Sequence, residues 1–504
     1  MRRPPPSRFG PRRPGLVLIT ACALLAACGT SDVPRGLLVS PPGEAPGYVY
    51  YTPLISSTTY MIEAGSGDVV HTWESEYAPT GSVYLLDNGN LLRGGKIPEV
   101  EVFRGGGQGG RLQEFTWDGE IVWDFRFATE EHLLHHDTAL LPNGNILAIA
   151  WEAKSREEAR QMGYREEMTP ERGLWPDMIV EIEPQGSTGG RVVWEWHAWD
   201  HMIQDYDDSA GNFADPAAHP ELVDVNAGRR VPGDVTQDDI ARYRELGYVP
   251  EGDGHNPSSD LMHTNAIAYN ADLDQIVLSP RVFSEIWVID HSTTTAEARG
   301  STGGRWGRGG DLLCRWGNPQ VYGQGTEADQ ILFGQHDIRW VPEGMPGAGN
   351  FTVFNNDNVR PGGTFSSVYE FVAPTDASGR YVIEDGEAFG PKETNWTYTA
   401  PDPPNFYGSF ISGAHRLAGG NTLITSGPQG RFFEVTTDGE IVWEFWSPTS
   451  GDVATPQGGA AIGANPYAVF RATYIAGDHP ALRGRNLVPL DPQPRLIPPP
   501  GGDG

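Results

Sequence analysis

The chain has 504 residues, with 36 Lys and Arg against 66 Asp and Glu, giving a formal net charge of -30 at pH 7. Such a surface repels phosphate backbones, which argues against a nucleic-acid-binding function. Hydrophobic residues make up 38%, with 64 Gly and 42 Pro, so the composition supports a large core built from short strands and turns and excludes a disordered chain or a helical bundle.

Arg2, Arg3, Arg8, Arg12 and Arg13 precede an apolar run from Leu16 to Ala27, too short for a permanent membrane span but suited to an export signal. The stretch Leu25-Ala26-Ala27-Cys28 resembles the bacterial lipoprotein signal. Residues 1–27 are therefore expected to be removed, Cys28 to carry lipid, and 28–46 to form a flexible Gly/Pro/Ser-rich tether. The expected location is the bacterial cell envelope, periplasm or cell surface, with a lipid anchor in the membrane. Cleavage before Cys28 takes the net charge to -35, because five arginines and no acid leave. Cys314 would then be the one unmodified cysteine, so no internal disulfide is expected.

From residue 47 a pattern recurs. Trp-bearing strands follow tight turns at Trp73, Trp123, Trp194, Trp316, Trp396 and Trp443, as in DGEIVWDF and DGEIVWEF. Hairpins with NGN-like turns alternate with them, as in VYLLDNGNLLRGG, ALLPNGNILAIA and RLAGGNTLIT. Six copies of a four-strand unit predict an all-β, six-bladed β-propeller over residues 47–480, with inserted loops and a Pro/Gly-rich tail at 481–504. The longest insertion, 200–262, is acidic, with a helical pattern in DVTQDDIARYREL. Its Asp205, Asp207 and Asp208 resemble a calcium loop, but Ala210 stands where such a loop needs Gly, so a solvated excursion is expected.

Inner strands of a propeller line one channel, so equivalent repeat positions converge there. Aligned on their turns, His136, His263 and His336 share one register, which Gly81 occupies in the first blade; His415 lies three positions later, on the opposite face of a regular strand unless a bulge intervenes. Arg360 follows the His336 strand. Imidazoles beside an arginine suit three chemistries: a transition-metal site, an anion clamp, or a nucleophilic imidazole attacking a sulfuryl or phosphoryl group while cations hold its oxygens. The anion readings are favoured, because a cationic cluster in so acidic a chain must be specifically built.

The segments MHTNAIAYNADLDQIVLSPRVFSEIWVID, GQHDIRWV with FNNDNVR, GAHRLAGGNTLITSGPQGRFFEVTTDGEIVWEFW and NPYAVFRATY resemble the bacterial arylsulfate sulfotransferases. The resemblance implies a ping-pong transfer of a sulfuryl group from an aryl sulfate to a phenol, with no metal and no nucleotide donor. It matches His415 to the nucleophile that becomes sulfated, and His263, His336 and Arg360 to groups that bind the sulfuryl oxygens and assist the leaving phenol. His136, Asn265, Asn356 and Arg281 are the expected substrate-binding neighbours. The family's N-terminal β-domain and its disulfide near the nucleophile have no counterpart here. Small-molecule aryl sulfates and phenols are the implied partners, with no nucleic acid. The competing reading is a non-catalytic propeller that binds a ligand or partner protein in its channel; a hydrolase on the same residues is a third.

Overall fold

In the computed structural model, residues 34–40, 47–97, 100, 102–228, 259–357, 365–383, 386–449 and 466–494 are described. The signal segment, Cys28, Arg360 and the helix expected within 234–246 lie outside them. Six antiparallel sheets succeed one another, each a meander of four strands with one extra strand in the last. The chain is an all-β, six-bladed propeller with few and short helices.

Blades 2 to 6 take their inner strands in chain order, from Pro79–Leu85, His132–Leu140, Thr264–Asn270, His336–Trp340 and Gly413–Arg416. Blade 1 takes its inner strand, Val469–Ala476, from the other end of the sequence, paired antiparallel with Gly47–Pro53. Each inner strand packs on the next and the last on the first. Gly81 thus belongs to blade 2, and the inner strand of blade 1 carries Phe470 and Arg471. The hairpin turns behave as their Gly residues require: Gly89 and Gly144 adopt φ of 89° and 87°, a region open to glycine at little cost.

The six repeated tryptophans sit on the six outer strands: Val69–Glu74, Ile121–Arg126, Gly189–His197, Cys314–Trp316, Trp396–Tyr398 and Ile441–Trp446. Each indole N–H donates to the following blade: Trp73 to Thr116 O, Trp123 to Gly189 O, Trp194 to Thr293 Oγ1, Trp316 to Pro391 O and Trp396 to Thr437 O. Trp443 closes the ring by donating to Ala64 O of blade 1 at 2.8 Å. A large apolar side chain with one polar tip is suited to this position, filling the wedge between blades while satisfying its own donor.

Two ends of the chain depart from the sequence expectation. Within the expected tether, Gly36–Val39 forms a fifth strand on the outer edge of blade 6, paired with Ile441–Trp446. Backbone pairing and Leu37, packed against the aromatic cluster of Phe432 and Phe445, outweigh the Gly/Pro-rich surroundings. The expected tail also returns to blade 1, where Leu490 N donates to Val69 O. In the acidic insertion, Asp207 Oδ1 accepts from the backbone N–H and hydroxyl of Ser209, a local turn rather than a cation loop.

The ring-closing hydrogen bond gives a direct test. Trp443→Phe keeps most of the packing but leaves Ala64 O without its donor. It is expected to lower unfolding stability by about 1–2 kcal/mol in urea titrations; an unchanged midpoint would refute a role for this contact in closure.

Candidate active site in the propeller channel

In a four-strand meander, the connection from an outer strand to the next inner strand opens on the same face as the turn between the second and third strands. That face receives His263, Arg281, His336 and Asn356, as well as the points where the chain leaves blade 3 after His197 and enters blade 4 before Thr264. His136 and His263 hold left-handed backbone, φ 52° and 54°. This conformation costs a non-glycine residue on the order of 1 kcal/mol and turns the side chain out of the regular strand alternation. Their rings meet edge to face with centroids 4.5 Å apart. Phe470 packs against this layer, 6.2 Å from His136 and 6.4 Å from His336. Gly106 and Gly107 run alongside: a Cβ on Gly107 would lie 2.3 Å from His136 Nε2, and one on Gly106 would lie 3.3 Å from His263 Cε1.

Hydrogen bonds fix the protons on these rings. His263 Nδ1 stands 2.5 Å from Asp260 Oδ2, while Asp260 Oδ1 accepts from the His263 backbone N–H and from Trp151 Nε1. A carboxylate can only accept, so His263 Nδ1 carries the proton. His336 Nδ1 lies 2.6 Å from Asn356 Oδ1. The Asn356 amide cannot be flipped, because its Nδ2 donates to the carbonyls of Gly408 and Ile411. His336 therefore donates through Nδ1 and keeps its lone pair on Nε2.

Burial, reinforced by Arg281 and then by His263 and Arg471, lowers the His336 pKa well below 6.5 against the opposing Asn356 hydrogen bond. Burial likewise leads for His136, followed by the charges of His263, His135, His336 and Arg471. Both imidazoles are neutral at pH 7. The rings are 2% and 5% exposed, so the layer is screened from the acidic exterior.

Beneath them sits Arg471. Its Nη1 donates to Asp137 Oδ2 at 2.6 Å and to Ser82 Oγ at 2.8 Å, its Nη2 reaches Asn265 O, and its Nε is 3.0 Å from Asp337 Oδ1. One guanidinium from blade 1 thus ties blades 2, 3, 4 and 5. Asp337 Oδ2 extends the tie to blade 6 by accepting from Ala414 N.

His136, His263, His336, Arg281 and Asn356 are therefore brought together. Asn265 is turned aside, its Nδ2 donating to Gln335 O. His415 stands apart. Counted back from the pairs that close each hairpin, Arg416 with Thr422 and Leu140 with Ile146, the position equivalent to His136 is Ser412, with φ 88°. The strand Gly413–Arg416 pairs in unbroken register, whereas the His336 strand carries a bulge, so the rung of His336 is held in blade 6 by Gly413. His415 lies two rungs along on the same face, about 7 Å at strand spacing. Its charged neighbours are Arg339, Asp337 and Arg471, and burial followed by Arg339 pushes its pKa down to about 3. Its Nε2 is buried without a hydrogen-bond partner.

Sequence reasoning passed over Asp260, Asp137, Asp337 and Arg471. The repeated His-Asp pair at 136–137 and 336–337 was the available signal for two of them. Arg471 gave none locally, because its strand is 400 residues from the blade it completes.

A family model described as Arylsulfotransferase (ASST) matches residues 65–444, and the chain belongs to that family. Sulfuryl transfer from aryl sulfates is the activity the family supports. No curated protein matches the chain. Among solved structures, the periplasmic gluconolactonase PpgL of Pseudomonas aeruginosa is 10% identical with a TM-score of 0.42, covering 86% of this chain and 99% of that one. A protein of unknown function from Bacteroides caccae is 12% identical with a TM-score of 0.41, covering 80% and 94%. Likenesses this distant carry no inference about activity.

Replacing Arg471 with Leu takes the guanidinium from buried Asp137, which keeps only neutral donors such as Tyr84, while Asp337 retains Arg339. The expected loss is about 3–5 kcal/mol of unfolding stability, read by chemical denaturation. A loss below about 1 kcal/mol would mean that the axis is held by other contacts.

Proposed function

We propose that this arylsulfotransferase takes a sulfuryl group from an aryl sulfate ester, holds it on an imidazole nitrogen, and passes it to a phenol, with no nucleotide donor. The observation that carries the reading is the meeting of two neutral imidazoles, His136 and His336, with His263 and Arg281 above the buried Arg471. A neutral ring can attack; fixed donors around it stabilise charge on the sulfuryl oxygens.

The attacking group proposed here is His336, whose lone pair the Asn356 hydrogen bond leaves on Nε2, although the resemblance gives that role to His415. The Nε2 lone pair of His336 displaces the phenolate at sulfur, forming an N–S bond as the ester S–O bond breaks. A second phenol then attacks the same sulfur and breaks the N–S bond. Arg281 and His263 face the transferred oxygens, and Arg360 joins them through the resemblance. Asn356 orients His336, and Asn265 lends the layer its backbone rather than its amide. A second reading keeps His415 as the nucleophile, favoured by its orphaned Nε2. Export and a lipid on Cys28 would place the enzyme in the cell envelope, as the N-terminal sequence suggests.

Brief exposure to 4-nitrophenyl sulfate without acceptor, followed by peptide mapping in alkali, distinguishes these readings. The sulfuryl label is expected on the peptide that contains His336, and His336→Asn should abolish the burst of nitrophenol. Label on the His415 peptide would move the nucleophile there. Neither label nor phenol-dependent turnover would leave the ligand-binding propeller.

Attack requires the deprotonated ring, and its lowered pKa keeps that form populated into acid. The acid limb of the first half-reaction should therefore fall below pH 6.5, the ordinary histidine value; a limb above it would contradict a buried His336 nucleophile.

A further inference from the structure

Away from the channel, the junction of blades 1 and 2 holds a charge without a counter-charge. Arg93 lies on the second strand of blade 2, Leu91–Lys96, and is 1% exposed. Leu91, two residues before it and so on the same face, packs with Val83 and with Tyr50, Met61 and Trp73 of blade 1. The Arg93 guanidinium therefore points into the seam between the blades. Its Nη2 makes one long contact across the seam, 3.4 Å to Ser56 O. Its Nε and Nη1 are buried with no hydrogen-bond partner. Burial alone pushes its pKa down to about 9, so the group is still charged at pH 7.

The same seam carries other donors in excess of acceptors. Thr52 and Thr59 of blade 1 stand two residues from Tyr50 and Met61, on the face turned to blade 2, and are 3% and 0% exposed. Their hydroxyls share a single hydrogen bond of 2.7 Å, which leaves one O–H hydrogen over. Arg111, on the next strand of blade 2, spends Nη1 on Asp124, and its Nε is likewise buried without a partner. The other oxygen of Asp124 accepts from Gln113 Nε2 at 3.1 Å, so this carboxylate is engaged with groups other than Arg93.

A buried guanidinium without a counter-charge is costly, and water could fill its donors without balancing it. We propose that a halide ion, chloride in ordinary media, binds in the seam between blades 1 and 2, held by the Nε and Nη1 hydrogens of Arg93 and the spare hydroxyl of the Thr52–Thr59 pair. A spherical monovalent ion suits the place. The surrounding Tyr50, Met61, Val83 and Leu91 offer an apolar wall, where the four oxygens of a sulfate would lack donors. Blade 1 is complete only when Val469–Ala476 has joined Gly47–Pro53, so the seam exists in the closed ring alone. The ion therefore binds the folded chain and not the unfolded one, and stabilises closure by mass action.

Halide titration at constant ionic strength tests the site. As gluconate is replaced by chloride up to about 0.3 M, the thermal midpoint of the full chain is expected to rise by about 2–3 °C. Arg93→Met, which keeps an apolar stem and removes the charge, should lose that dependence and melt no lower than the wild type in gluconate. Bromide gives a readout that needs no variant. Anomalous scattering from wild-type crystals soaked in bromide should show a peak beside Arg93 Nε and Nη1 that chloride displaces. A water there with no bromide peak, or the same halide dependence in Arg93→Met, would overturn the proposal.

Discussion

Arg471 belongs to the last strand of the chain, yet its guanidinium meets Asp137 of blade 3 and Asp337 of blade 5 and reaches Ser82 and Asn265 in blades 2 and 4. A buried ion pair of this kind is poor evidence for net stability, because desolvating three charges costs several kcal/mol that the pairing only offsets. Its consequence is positional. Asp137 and Asp337 each follow a channel histidine, so the guanidinium sets where those two strands sit, and with them His136 and His336. Ring closure and site assembly are thereby coupled: until Val469–Ala476 pairs with Gly47–Pro53, Asp137 lacks its guanidinium partner, Asp337 has Arg339 alone, and the layer has no floor.

The ring of tryptophans does for the periphery what Arg471 does for the axis, by different physics. Each indole buries apolar area between two blades and spends its single donor on the next blade, so the outer contacts are local and repeated. Repetition is why this part of the fold was legible. Six tryptophans after six turns are a periodic signal, and each marks an outer strand. The channel is the reverse: its residues differ from blade to blade, since six strands must supply one asymmetric site.

That asymmetry explains what the sequence showed of the site and what it hid. His136, His263 and His336 could be aligned because each precedes a hairpin whose turn is visible. His415 was visible as a histidine, and its three-residue offset was countable, but only the strand pairing shows that a bulge in the His336 strand takes up one of those residues. Asp260 pairs with His263 from a loop, at a spacing no strand period marks. The strand at Gly36–Val39 was hidden by composition, for its partner lies 400 residues on and edge pairing is satisfied by backbone rather than by side chains.

A net charge of -30 on the whole chain sets the problem that the channel solves. An aryl sulfate carries its own negative charge, and a site of many fixed cations would bind it and its sulfated product equally tightly, lowering KM without helping turnover. The channel instead places fixed cations beside imidazoles that burial keeps uncharged. Asp137 and Asp337 already absorb much of the Arg471 charge, so the ground state of a bound sulfate gains little from it. Charge that accumulates on the sulfuryl and phenolic oxygens as bonds break has donors waiting that need no reorganisation.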